Sequence, residues 1–174
     1  MFSLKDKVVI ITGSSRGIGK ATAIQMAEAG AKVVISSRKK EECDKVAKNI
    51  NSNGFVAASI PCHVGKKDNI RNLVQETINI YDKIDVLVCN AATNPAFGPI
   101  ANLDDNAFDK IIQVNLKSSI WLVNQASHYM KKNKGCSVII MSSIAAITGT
   151  TDIGAYGISK AAEVSLVRNL AVEL

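Results

Sequence analysis

Three side chains in the last third of the chain have the types and spacing to move a proton to or from a substrate oxygen. Ser143 follows an apolar run, and Tyr156 and Lys160 stand four positions apart a little further on. On a helix, residues so spaced share a face, with Cβ atoms about 5–6 Å apart. A nearby cation favours the ionised form of a phenol. A phenol–ammonium pair beside a hydroxyl suits general acid/base work at an oxygen whose charge changes during reaction. Each group also has a plainer use. The pair could be an exposed helical contact worth a few tenths of a kcal/mol, and the serine could turn or cap the chain.

The elements that would position this set alternate in type. Val8 to Thr12 is a short, continuously apolar run ending at Gly13, the pattern of a strand buried on both faces. A helix is expected from Ile18 to Ala29, a strand from Lys32 to Ser36, a helix from Lys40 to Ser52 and a weaker strand from Phe55 to Ile60. Ile70, Leu73, Val74, Thr77, Ile78 and Tyr81 fall on one helical face. Val86 to Cys89 is a fourth strand, Asp104 to Lys132 one long helix, Ser137 to Met141 a fifth strand, and a last helix starts near Gly154. Strand–helix alternation implies an α/β fold with a parallel sheet and right-handed crossovers.

Thr12-Gly13-Ser14-Ser15-Arg16-Gly17-Ile18-Gly19 joins the first strand to the first helix. Glycines at such a turn let the backbone approach a pyrophosphate at a helix N-terminus. The spacing is not that of a P-loop, because Ala21 follows Lys20 where a Ser or Thr would bind magnesium. The second strand runs out into Ser36-Ser37-Arg38 with no acid to hold a ribose 2′-hydroxyl. Arg38, faced by Arg16, could pair with a 2′-phosphate instead. NADP(H) is therefore the preferred cofactor, with NAD(H) left open.

With 174 residues, 47% of them hydrophobic, the chain has the apolar content of a globular core. The net charge of +6 is spread out, densest at Lys39-Lys40 and at Lys131-Lys132 with Lys134, and reads as a solvated surface, not a nucleic-acid site. Cys43, Cys62, Cys89 and Cys136 are isolated and read as reduced thiols of a cytoplasmic protein. With His63 and His128 alongside, they form no metal set. No apolar run is long enough to span a membrane.

Thr12-Gly13 with Gly17 and Gly19, Asn90-Ala91-Ala92, Asn115, Ser143, and Tyr156 with Lys160 resemble, in order and spacing, the short-chain dehydrogenase/reductase family. The resemblance covers the whole chain. It implies a Rossmann-type doubly wound parallel sheet of strand order 3-2-1-4-5, which the family extends by sixth and seventh strands that are missing here. It also implies hydride transfer between a nicotinamide dinucleotide and a carbonyl or secondary alcohol.

By the same resemblance, Tyr156 is the acid/base, Lys160 its electrostatic partner and the holder of the nicotinamide ribose, Ser143 the donor that orients the substrate oxygen, and Asn115 the anchor of a water-linked proton path. Gly13, Ser15, Arg16, Gly17, Ile18, Gly19, Ser37, Arg38, His63, Val64, Asn90, Ala91, Ala92, Tyr156 and Lys160 would contact the cofactor. Most members carry Asp-Val where this chain has His63-Val64. Cys62 to Gly65 and Asn90 to Pro95 resemble the NADPH-dependent carbonyl/retinal reductase subgroup, which includes peroxisomal members.

Leu166, Leu170 and Leu174 continue one helical stripe to the last residue, with no Gly, Asn or Pro to close it. Residues 1–174 therefore read as a single dinucleotide-binding and catalytic domain, incomplete at its C-terminus. The alternatives are a 3-oxoacyl carrier-protein reductase and a non-catalytic fragment that binds dinucleotide without turnover. A small-molecule substrate and a homodimer or homotetramer, through the helices starting near Asp104 and Gly154, complete the expected partners. By the resemblance, most of the residues that would enclose the substrate belong to the missing segments.

Overall fold

The computed structural model describes residues 3–133 and 135–174. Lys134, grouped above with Lys131 and Lys132, lies outside the described residues. Five parallel strands, β1 Val8–Thr12, β2 Lys32–Ser36, β3 Val56–Ser59, β4 Val86–Cys89 and β5 Ser137–Ile140, form one sheet in the order β3-β2-β1-β4-β5. The helices are α1 Gly17–Glu28, α2 Lys40–Ser52, α3 Lys67–Tyr81, α4 Asp105–Ile111, α5 Ser118–Met130 and α6 Gly154–Glu173. Fold class and strand order are those expected.

The inner strands β1, β2 and β4 are mainly apolar because helices cover both of their faces. Successive side chains point to opposite faces. Val9, Ile11, Val33, Ile35, Val86 and Val88 pack with Ala23 and Ala27 of α1 and Val46 and Ile50 of α2. Ile10, Val34 and Leu87 pack on the other face with Leu73 and Val74 of α3 and Leu122 and Ala126 of α5. Leu170 of α6 leans against this second cluster. At the N-terminal end of the sheet the buried Asp85 accepts Val8 N–H at 2.8 Å and pairs with Lys7 at 3.5 Å and Lys83 at 3.1 Å.

One difference from expectation concerns the site. The long helix from Asp104 to Lys132 is broken by a π-helical segment, Ile112–Lys117, between α4 and α5. The fifth strand, last in the expected order, is an edge strand that pairs with β4 alone among the described residues, and Ile139 is 42% exposed.

The chain winds from β1 outward to β3, then returns to place β4 on the other side of β1. That reversal splays the connections apart at the C-terminal ends of β1 and β4, where open parallel sheets bind ligands.

Candidate active site

The glycine turn lies at that reversal. Gly13 has φ +69° and Gly17 φ +55°, left-handed values that favour glycine. At Gly19 the constraint is space: a Cβ would come within 2.5 Å of Asn90 Nδ2 and of the Gly13 carbonyl oxygen. Arg16, the N-cap of α1, is extended and makes no side-chain capping bond, and the first turn carries no acidic residue. The N–H groups that open α1 are thus left for an anion from outside, which the helix dipole also favours. Ser15 and Ile18 flank this opening, with Ile18 exposed.

Two hydroxyls brace the turn. Thr12 Oγ1 accepts N–H bonds from Asn90 at 3.0 Å and Ala91 at 3.1 Å, clamping β1 to the end of β4. Ser14 Oγ donates to the Ile11 carbonyl at 2.7 Å and accepts from Ser36 N–H at 2.8 Å, clamping the turn to β2. Asn90 Nδ2 donates to the Thr12 carbonyl at 2.9 Å. Asn90 therefore shapes the turn itself, while Ala91 and the exposed Ala92 continue past it.

Beyond β2, Ser37 Oγ lies 3.3 Å from Cys43 Sγ, and Arg38 is exposed. Neither Arg16 nor Arg38 has a side-chain partner among the described residues. His63 Nδ1 accepts the Gly65 N–H at 3.1 Å, so the imidazole folds over its own turn, next to the buried Val64.

Asn115 lies in the π segment and is fully buried. Its Oδ1 accepts Thr93 N–H at 2.8 Å, and its Nδ2 donates to the Thr93 carbonyl and to Ser159 Oγ, both at 3.0 Å. These partners offset the cost of burying an amide between Val114 and Leu116. π-turns inside α-helices commonly mark functional sites.

After β5 the chain turns through a short 3-10 helix, Ile144–Ala146. Ser143 caps it, accepting Ala145 N–H at 3.2 Å, and stays half-buried. Gly157 lets α6 approach this turn, because a Cβ there would meet the Ala145 carbonyl oxygen at 2.8 Å. Tyr156 is half-buried on the first turn of α6. Lys160 is 2% exposed, with Nζ 5.6 Å from the centroid of the Tyr156 ring. The ammonium donates to the Met141 carbonyl and to Glu163 Oε2, each at 2.7 Å.

The fold thus gathers the glycine turn, Asn90, Asn115, Ser143, Tyr156 and Lys160 along the C-terminal edge of the sheet. Arg38 and His63 stand further out on the loops after β2 and β3. Sequence reasoning missed Thr93, Ser159 and Glu163. Burial of a serine or glutamate beside Lys160 leaves no mark in sequence, although Ser159 directly precedes Lys160 and Glu163 is its i+3 neighbour. Ser14 is one serine among several in the turn, and its bonds to Ile11 and Ser36 exist only once β1 and β2 are side by side.

The family model described as short chain dehydrogenase matches residues 7–174. Dehydrogenase/reductase SDR family member 4 of Sus scrofa is 40% identical over 98% of this chain and 61% of its own length. The mitochondrial Dehydrogenase/reductase SDR family member 2 of Homo sapiens matches with the same identity and coverage. The Arabidopsis thaliana Short-chain dehydrogenase/reductase SDRA is 39% identical over 98% of this chain and 66% of its own. Among solved structures, a 7 alpha-hydroxysteroid dehydrogenase complexed with NADH and 7-oxo glycochenodeoxycholic acid superposes with a TM-score of 0.94 at 32% identity, covering 98% of this chain and 66% of that one. The chain thus spans about three-fifths to two-thirds of the length of these relatives. On its sequence and its fold, the chain belongs to the short chain dehydrogenase family.

Proposed function

We propose that residues 1–174 form the dinucleotide-binding and catalytic part of an oxidoreductase that moves a hydride between NADP(H) and a carbonyl or secondary alcohol. The observation that carries this is the buried Lys160 ammonium, 5.6 Å from the Tyr156 ring, at the edge of the sheet where the uncapped glycine turn also opens. The glycine turn suits a pyrophosphate, and the unpaired Arg16 and Arg38 suit a ribose 2′-phosphate. Gly13, Ser15, Gly17, Ile18 and Gly19 would hold the diphosphate, Ser37 and Arg38 the adenosine ribose, and His63 and Val64 the adenine side. Asn90, Ala91, Ala92, Tyr156 and Lys160 would hold the nicotinamide half.

A nicotinamide dinucleotide supplies or accepts the hydride. In reduction, Tyr156 gives its phenolic proton to the substrate oxygen. Ser143 donates a second hydrogen bond to that oxygen and so stabilises its growing charge. Lys160 places positive charge beside the phenolate that remains. Asn115, on the adjoining π segment, anchors the path by which the proton is replaced.

Titrating the chain with NADPH and NADH, followed by nicotinamide fluorescence, tests the cofactor. Assaying the protein as its gene encodes it against ketones, aldehydes, retinal and an acetoacetyl thioester tests the reaction. NADPH binding, and turnover that falls at least about 100-fold in Tyr156→Phe, are expected. Failure to bind either dinucleotide, or full turnover in Tyr156→Phe, overturns the reading. An assembly of two or four copies is part of the proposal, and light scattering measures it.

A further inference from the structure

Glu163 has no part in the reaction as set out above, yet its side chain is 2% exposed. Carboxylates are almost never fully buried unless paired. Glu163 lies three residues after Lys160 on α6, hence on the same face. Its Oε2 accepts from Lys160 Nζ at 2.7 Å, and the Met141 carbonyl at the end of β5 accepts a second N–H at the same distance. An ammonium has three N–H donors. One is committed to a carboxylate and one to the backbone, which leaves one for a phenol or a nucleotide hydroxyl.

We propose that Glu163 is a positioning residue for Lys160: its buried carboxylate orients the ammonium and sets how much of that positive charge reaches Tyr156. The inference rests on the reading of Tyr156 and Lys160 as the acid/base pair. From the position of the phenol, an ammonium and a carboxylate in contact act nearer to a dipole than to a full cation. Glu163 therefore fixes the direction of the Lys160 ammonium and weakens its pull on the Tyr156 proton.

Burial pushes the Glu163 carboxyl up from the ordinary carboxylate range, and the bond and charge of Lys160 oppose the shift. The Cys89 thiol on β4 also faces the pair and is pushed up to about 12, chiefly by burial, so it stays neutral. Ser119 of α5 and Asn115 of the π segment carry no charge, and the turn Ile144–Ala146 has no titratable side chain. The pair and the phenol thus form a small electrostatic unit whose members can be varied one at a time.

The test is a pH titration of tyrosinate absorbance on the 174-residue chain. Subtracting the Tyr156→Phe curve assigns the Tyr156 step, and Tyr81 and Tyr129 serve as internal references. Glu163→Gln removes the charge at nearly constant shape, and the Tyr156 midpoint is expected to move down by about one pH unit. Glu163→Asp, which keeps the charge, moves it less. An unchanged or higher midpoint in Glu163→Gln overturns the proposal. Should Glu163→Gln fail to fold, Glu163→Met is read in the same way. Failure of both to fold assigns Glu163 to the core alone and likewise overturns it. A midpoint that rises in Lys160→Met but ignores Glu163→Gln overturns only this proposal, whereas one indifferent to Lys160→Met overturns the acid/base pair itself.

Discussion

Asn115 and Ser159 are joined by a buried hydrogen bond, Nδ2 to Oγ at 3.0 Å, and the same serine hydroxyl donates to the Tyr156 carbonyl at 2.7 Å. One hydroxyl thereby links the π segment to the turn of α6 that carries Tyr156. Its single proton and an acceptor lone pair are both in use.

Ser159→Ala removes this link and leaves one Asn115 N–H with no partner in a buried site. The expected loss of stability is about 1–3 kcal/mol by chemical denaturation. Because Asn115 and Ser159 share one bond, Ser159→Ala and Asn115→Leu combined should cost less than the sum of the two alone. A double-mutant cycle measures this, with a coupling of about 0.5 kcal/mol or more expected.

Gly19→Ala should weaken dinucleotide binding at least about tenfold, equivalent to ~1.4 kcal/mol, because the new methyl group meets Asn90 Nδ2 and the Gly13 carbonyl at 2.5 Å and must open the turn. Gly149→Ala is the control, since nothing lies within 4 Å of a Cβ there and its φ is not positive. Fluorescence titration of both variants with NADPH checks the contrast.

Arg38→Ser should lower NADPH affinity by about tenfold or more while changing NADH affinity little, because only the 2′-phosphate offers the guanidinium a charged partner. Arg38 is exposed and unpaired among the described residues, so its removal should leave the melting temperature unchanged. The ratio of the two dissociation constants is the readout.

The buried thiols Cys62 and Cys89 are both pushed up from an ordinary 9.0 to about 12, chiefly by burial. The folded state therefore holds these protons more tightly than the unfolded chain. The sign follows from linkage: between pH 9.0 and about 12 the unfolded state binds fewer protons, so stability falls as pH rises. Each thiol contributes a loss of about 1.4 kcal/mol per pH unit inside that window. Denaturant curves of Cys62→Ala and Cys89→Ala should show a shallower alkaline slope than the parent, whatever the change in absolute stability. Below pH 9.0 the slopes should coincide.

The sequence determined the features that depend on local backbone. Val8 to Thr12 reads as a doubly buried strand because it is apolar without alternation, and it is buried throughout. The glycine turn reads as a ligand cradle because left-handed φ and close approach leave little other choice at Gly13 and Gly19. Tyr156 and Lys160 share a helical face by spacing alone.

What only the tertiary structure decided are properties that arise when distant segments meet. A π turn differs from α by a single residue in its hydrogen-bond count. Nothing in Ile112–Lys117 announces it, and Asn115 there finds its partners on Thr93 and Ser159, from two other segments. Ser143 reads equally well as a cap or a catalytic hydroxyl, and in the fold it caps the turn Ile144–Ala146 at the edge of the site. Glu163 would be an ordinary helix carboxylate in isolation. Packing α6 against the sheet removes its water, and the loss of solvent turns an i,i+3 neighbour of Lys160 into a buried counter-charge.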